Sequence, residues 1–173
     1  MSTIAFLRAA NVGGHQRFRP KLLADALPQL QLRNFGAAGT FLIRAALPEA
    51  EIRAAFAGVL PFDPQLALVS AADFAALVAA DPFAAEAEAL GAKRFLSVLL
   101  EPPVAVPPLP LDRPEGDGWQ VRLAVVEAWY SVSLRRGVGA GVVYPNLVEK
   151  VIGVAVTTRG WPTVLQVARA LEG

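Results

Sequence analysis

The sequence predicts an α+β protein made of two interlocked ferredoxin-like (α/β plait) halves with mostly antiparallel sheets. Three observations carry that expectation. Short apolar runs of strand length alternate with helical stripes in the order β-α-β-β-α-β over residues 1–70. A later pair of alternating segments meets at a tight turn, which reads as two antiparallel strands. The 173 residues are 54% apolar, enough to fill one compact domain or two half-domains sharing a core. The first half is assigned to residues 1–70 and the second, with C-terminal helices, to residues 71–173.

The elements follow in chain order. "TIAFL" (3–7) suits a buried strand, and a Gly-Gly turn follows it. "RPKLLADALPQL" places Phe18, Leu22, Leu23, Ala26 and Leu27 on one helical stripe. Pro20 belongs in the first turn of that helix, and Pro28 ends or kinks it. "LRNFGAAGTFLIRA" (32–45) reads as two strands around a glycine-containing turn. "LPEAEIRAAFAGVL" opens on Pro48 and early acids, with an apolar stripe of Ile52, Phe56, Val59 and Leu60. "QLALV" (65–69) is the closing strand. Ser70 and Asp73 have capping spacing before a helix that buries Phe74, Leu77 and Val78, and Asp81-Pro82 stops it.

"KRFLSVLL" (93–100) is strand-like, and the proline-rich "EPPVAVPPLPLDRPEGDG" (101–118) reads as a stiff surface connection. The charge nearest its P-x-x-P spacings is the acidic Glu101, with Arg113 beyond, so they are a poor match to a polyproline ligand. "WQVRLAVVEAWYSVSL" gives two antiparallel strands turning near Glu127-Ala128. "YPNLVEKVIG" is a short helix closed by Gly153, and a last helix begins near Pro162. The second half therefore reads α-β-β-β-α-α, with one strand missing or displaced relative to the first.

Composition narrows the chemistry. There is no cysteine, which excludes disulfides, thiolate metal sites and cysteine nucleophiles. The single histidine, His15, rules out a two-histidine metal site within one chain. Sixteen basic and fifteen acidic residues leave a net charge of +1, too small a field to predict tight nucleic-acid binding. No signal-peptide pattern opens the chain and no uncharged apolar stretch reaches membrane-spanning length. The expectation is a cytoplasmic, soluble protein with no membrane partner, no cofactor and no metal. The glutamates Glu86 and Glu88 do not form a paired-carboxylate arrangement.

Two stretches remain unusual. "LRAANVGGHQRFRP" (7–20) puts Gly13-Gly14 among Arg8, Arg17, Arg19 and His15, but it matches neither dinucleotide nor Walker phosphate-loop spacing. A tight strand-to-helix turn with positive φ at a glycine explains it more simply than a phosphate cradle does. "VTTRGWPTV" (156–164) offers Thr157 and Thr158 as caps, Arg159 as a charge, and Trp161 at a helix start. Arginine and tryptophan at a helix N-terminus can bind an anion by charge and stacking, or can simply plug a core edge.

Together these stretches resemble the signature segments of the family catalogued as domain of unknown function 1697. That family carries Arg-x-Ile-Asn-Val-Gly-Gly near its start, Gln-Ser-Gly-Asn between its second and third strands, Asn-Pro-Phe after a helix, and Thr-Thr-Arg-Asn-Trp-Asn-Thr near its end. The matching residues here are Arg8, Asn11, Val12, Gly13 and Gly14, then Gly39, then Pro82 and Phe83, then Thr157, Thr158, Arg159, Trp161 and Thr163. The resemblance implies a pair of ferredoxin-like plaits and no established role. This chain departs from the pattern at Ala37, Ala38 and Thr40, at Gly160 and Pro162, and near Val142-Val143, where the family often has Ser-Lys. Polar groups are lost while glycines and Trp161 remain, so a polar site is expected to be altered or reduced.

The resulting expectation is a non-enzymatic binding module for a small anionic or phosphate-containing ligand, held by Arg8, Asn11, Gly13, Gly14, Arg159 and Trp161. A protein-interaction or self-association module is the alternative, and an enzyme with an altered or lost polar site comes third. The sequence leaves the oligomeric state open.

Overall fold

A computed structural model of the chain describes residues 1–8, 18–137 and 146–173. They form two compact units, Met1–Ala79 with Leu165–Gly173, and Ala80–Val164. The sequence division fell between residues 70 and 71.

The first unit holds strands β1 (Thr3–Leu7), β2 (Leu32–Asn34), β3 (Thr40–Ile43) and β4 (Leu66–Ser70), in the antiparallel order β2-β3-β1-β4. Helix α1 (Pro20–Ala26) and helix α2 (Glu49–Val59) make the two crossovers. This is the ferredoxin-like order that the β-α-β-β-α-β reading requires. Pro20 stands in the first turn of α1, and Pro28 opens a short 3-10 turn in place of a helical continuation. The core joins Ala5, Leu7, Phe41 and Ile43 of the sheet to Leu23, Leu27, Leu30, Ile52 and Phe56 of the helical layer. Three members of the expected stripes differ, and one of them, Ala26, is an exposed residue at the end of α1. Leu22 is 57% exposed and Val59 41% exposed, because α1 turns only the 23, 27, 30 spacing inward and α2 ends at Val59. At the start of helix α3 (Ala71–Ala80), the Asp73 N–H donates to Ser70 Oγ (3.0 Å) and the Ser70 hydroxyl donates back to Asp73 Oδ2 (2.6 Å).

The second unit contains helix α4 (Ala84–Ala89), strands β5 (Lys93–Leu99), β6 (Leu111–Arg113), β7 (Val121–Val126) and β8 (Tyr130–Arg135), helix α5 (Leu147–Ile152) and strand β9 (Val156–Gly160). Helix α6 (Trp161–Leu171) starts directly after β9. The five strands run β6-β7-β8-β5-β9, each pair antiparallel. Without β6 the order is again that of the first unit. No strand is missing, which corrects the sequence reading. What the second unit lacks is the first crossover helix, replaced by the proline-rich 101–118 segment with β6 inside it. Proline cannot serve a helix interior, so this stretch crosses as extended chain. Its Val104 and Ala105 N–H groups both donate to Ile152 O, at 2.9 and 3.3 Å. A second correction concerns Thr157 and Thr158, which lie within strand β9 and not at the start of a helix. Their β-branched side chains suit a sheet at least as well as a cap. Gly153 closes α5 at φ 75°, the left-handed position expected of it.

Candidate functional site

Strand alternation sets the site. In β9 the odd-numbered Thr157 and Arg159 share one face of the sheet, and Thr158 faces the other way. Arg159 pairs in register with Leu96 of β5, and Gly160 with Phe95. Continuing that register by one residue brings Trp161 opposite Arg94. The side chains agree, since the Arg94 guanidinium lies 4.0 Å from the centroid of the Trp161 ring. Arg94 also donates to Asp81 Oδ1 (2.6 Å) and to Pro82 O (3.0 Å). Asp81 and Pro82 are thereby linked to Trp161 through Arg94, although about eighty residues of sequence separate the two segments.

Arg159 is 7% exposed. Its Nη1 donates to Thr157 Oγ1 at 2.8 Å and to Thr158 O at 2.9 Å. Burial pushes its pKa down to about 10. Trp161 is 5% exposed, and its Nε1 is a buried donor without an acceptor. Asp81 and Phe83, on either side of Pro82, hold φ of 41° and 60°, left-handed values costly for residues with a Cβ.

The sequence-predicted residues divide as follows. Arg159 and Trp161 lie together in the second unit, and Arg8 belongs to the first. The Arg8 backbone N–H donates to Gln65 O (2.9 Å) and its Nη1 to Gln65 Oε1 (2.9 Å). Asn11, Gly13 and Gly14, with His15, lie outside the described residues. Sequence reasoning missed Arg94 and Asp81. The signal was present in the Asp81-Pro82-Phe83 segment, but only strand register connects it to Trp161. Among the described residues no three acidic or histidine side chains cluster in a way that could hold a metal ion. No helix of the described residues is long and apolar enough to cross a membrane.

The model of the family described as Protein of unknown function (DUF1697) matches residues 1–126, and the chain belongs to that family. Among solved structures, the chain is similar to the conserved bacterial protein SP0830 from Streptococcus pneumoniae. The TM-score is 0.65 at 17% sequence identity, covering 99% of this chain and 98% of that one. At that identity the likeness speaks for the fold alone. No curated protein matches the chain.

Proposed function

We propose that this chain is a non-enzymatic binding module for a small anionic ligand of the phosphate or phosphate-ester class, held in the second unit by Arg94, Arg159 and Trp161. The observation that carries the reading is the Trp161 indole N–H, a buried donor without an acceptor on the sheet face that bears both arginines. Buried donors are rarely left unsatisfied, and an oxyanion supplies the missing acceptor. Three further features support it. The Arg94 guanidinium, held by Asp81, lies 4.0 Å from the centroid of the Trp161 ring and brings a cation to the indole. Helix α6 begins at Trp161 and directs its positive end toward the same place. The left-handed Asp81 and Phe83 put backbone strain where Arg94 is anchored.

Titration of inorganic phosphate, a nucleoside monophosphate and a short oligonucleotide tests the reading. Wild type should bind phosphate and the mononucleotide at millimolar level, with affinity falling as salt rises. The oligonucleotide should bind no tighter, because a net charge of +1 neutralises few phosphates at once. Arg94→Met and Arg159→Met should each weaken phosphate binding about tenfold or more, the loss of one charge-assisted hydrogen bond. Undiminished binding in both variants, or no binding by wild type, would remove the reading.

A further inference from the structure

The opposite face of the same sheet carries a second, separate set of polar groups. Strand β8 reads Ser131-Val132-Ser133-Leu134-Arg135, so Ser131, Ser133 and Arg135 share one face by alternation. Ser97 of β5 pairs with Ser131, and Thr158 of β9 pairs with Ser97, extending the row across three strands. The Ser97 and Thr158 hydroxyls hydrogen-bond each other at 2.8 Å. Ser131 and Ser133 are 0% and 1% exposed, and neither Oγ has a partner.

The Arg135 Nε is also buried without a partner. Its guanidinium stacks 4.1 Å from the centroid of Phe95, the residue paired with Ser133. Arg135 therefore leans back along the row toward the serines, and it pairs with no carboxylate among the described residues. Burial lowers its pKa, as expected of a cation withdrawn from water.

Alanine at positions 131 and 133 would meet the same steric limits with no orphaned hydroxyl. A packing requirement therefore does not explain the serines. Three unsatisfied groups on alternate residues of one strand form a line of donors beside an apolar wall, since Leu123 pairs with Ser133 and Val126 with Ser131.

We propose that this row is a second ligand site, for a small carboxylate bearing a hydroxyl or carbonyl group. The carboxylate would take the Arg135 N–H and its single positive charge. Ser133 and Ser131 would serve the second oxygen function, since a hydroxyl both donates and accepts. One unpaired cation matches a monoanion better than a doubly charged phosphate ester. This site does not depend on the phosphate reading, because Arg159 pairs with Leu96 on the other face.

The test is a thermal-shift and titration series with glycolate, lactate and pyruvate against acetate as a control, on the full chain. The expected result is a melting temperature raised by the hydroxy- or keto-acid more than by acetate, with about tenfold weaker binding in Arg135→Met. The Ser131→Ala, Ser133→Ala double variant should be at least as stable as wild type without ligand, because it removes two orphaned hydroxyls, yet should lose the ligand-induced shift. Arg159→Met should leave this shift intact, which separates the site from the phosphate reading. No shift with any of the acids, or a shift retained in the double serine variant, overturns the proposal. A double variant that melts below wild type also overturns it, because the hydroxyls are then already satisfied inside the fold.

Discussion

Replacing Phe41 with alanine is expected to destabilise the protein by about 3–5 kcal/mol. Phe41 lies on β3, is fully buried, and packs its ring against Phe56 at 5.7 Å and Phe18 at 6.3 Å between centroids. It is the aromatic link between the first sheet and the helices that cross it, so truncation opens a cavity that a close-packed interior fills only in part. Urea unfolding should show a lower midpoint with an unchanged slope. Leu22→Ala is the companion measurement. At 57% exposure it should cost no more than about 0.5 kcal/mol. A comparable loss from both substitutions would restore the broad sequence-read stripe of α1 and contradict the face that the fold turns inward.

Arg122→Ala is expected to cost about 2–3 kcal/mol, below the figure for a fully buried pair because each charge keeps part of its surface in water. Arg122 Nε and Nη2 donate to the two oxygens of Asp112, at 2.7 and 2.8 Å, and Nη1 donates to Glu86 Oε1 at 2.9 Å. The guanidinium also lies 4.6 Å from the centroid of the Trp119 ring. One side chain thus ties β7 to the edge strand β6 and to α4, and its loss leaves two carboxylates uncompensated. The pH dependence carries a sign. The Arg122 hydrogen bonds hold the Asp112 pKa below its ordinary value of 3.8. That contribution is present above pH 3.8 and is lost as pH falls through the lowered value. The stability gap between wild type and Arg122→Ala should therefore be constant near neutrality and close below about pH 4. A gap that widens in acid would show that the pair is not what Arg122 contributes.

The first unit was legible almost residue by residue, because each helical or strand period was bounded by a proline, a glycine or a capping pair such as Ser70 and Asp73. The second unit was legible in its hairpin but not at its ends. Strand β9 was concealed because Thr157 and Thr158 suit a cap or a strand equally, and only pairing with β5 decides between them. Strand β6 has three residues inside a proline-rich stretch, too few to show an alternation of their own. The candidate site was half legible. Arg159 and Trp161 stood out as a charge and an aromatic at a helix start, whereas Arg94 looked like any strand arginine until register placed it opposite Trp161. The serine row could have been found from alternation alone, since Ser-x-Ser-x-Arg within a strand puts three polar groups on one face. Serines in a strand normally read as solvent-facing, and burial is a property of the assembled sheet.

Electrostatics separates binding from stability at Arg159. A base whose pKa is lowered to about 10 by burial is disfavoured as a cation in the folded state. That cost is fully present at neutral pH, and it declines as pH rises from about 10 toward the higher unfolded value. An apolar residue of similar length therefore removes that cost along with the bonds to Thr157 Oγ1 and Thr158 O, and Arg159→Met should fold with stability close to wild type. A residue kept for stability would behave in the opposite way.

The account rests on the Trp161 N–H meeting an oxyanion, and the indole resonance reports that contact directly. In protein labelled with ¹⁵N-tryptophan, the three indole N–H signals can be assigned with single Trp→Phe variants. Phosphate added in millimolar steps should move the Trp161 signal downfield and saturate, leave the Trp119 and Trp129 signals nearly fixed, and produce no such movement in Arg159→Met. A Trp161 signal that stays in place while phosphate binds, or that moves equally in Arg159→Met, would contradict it.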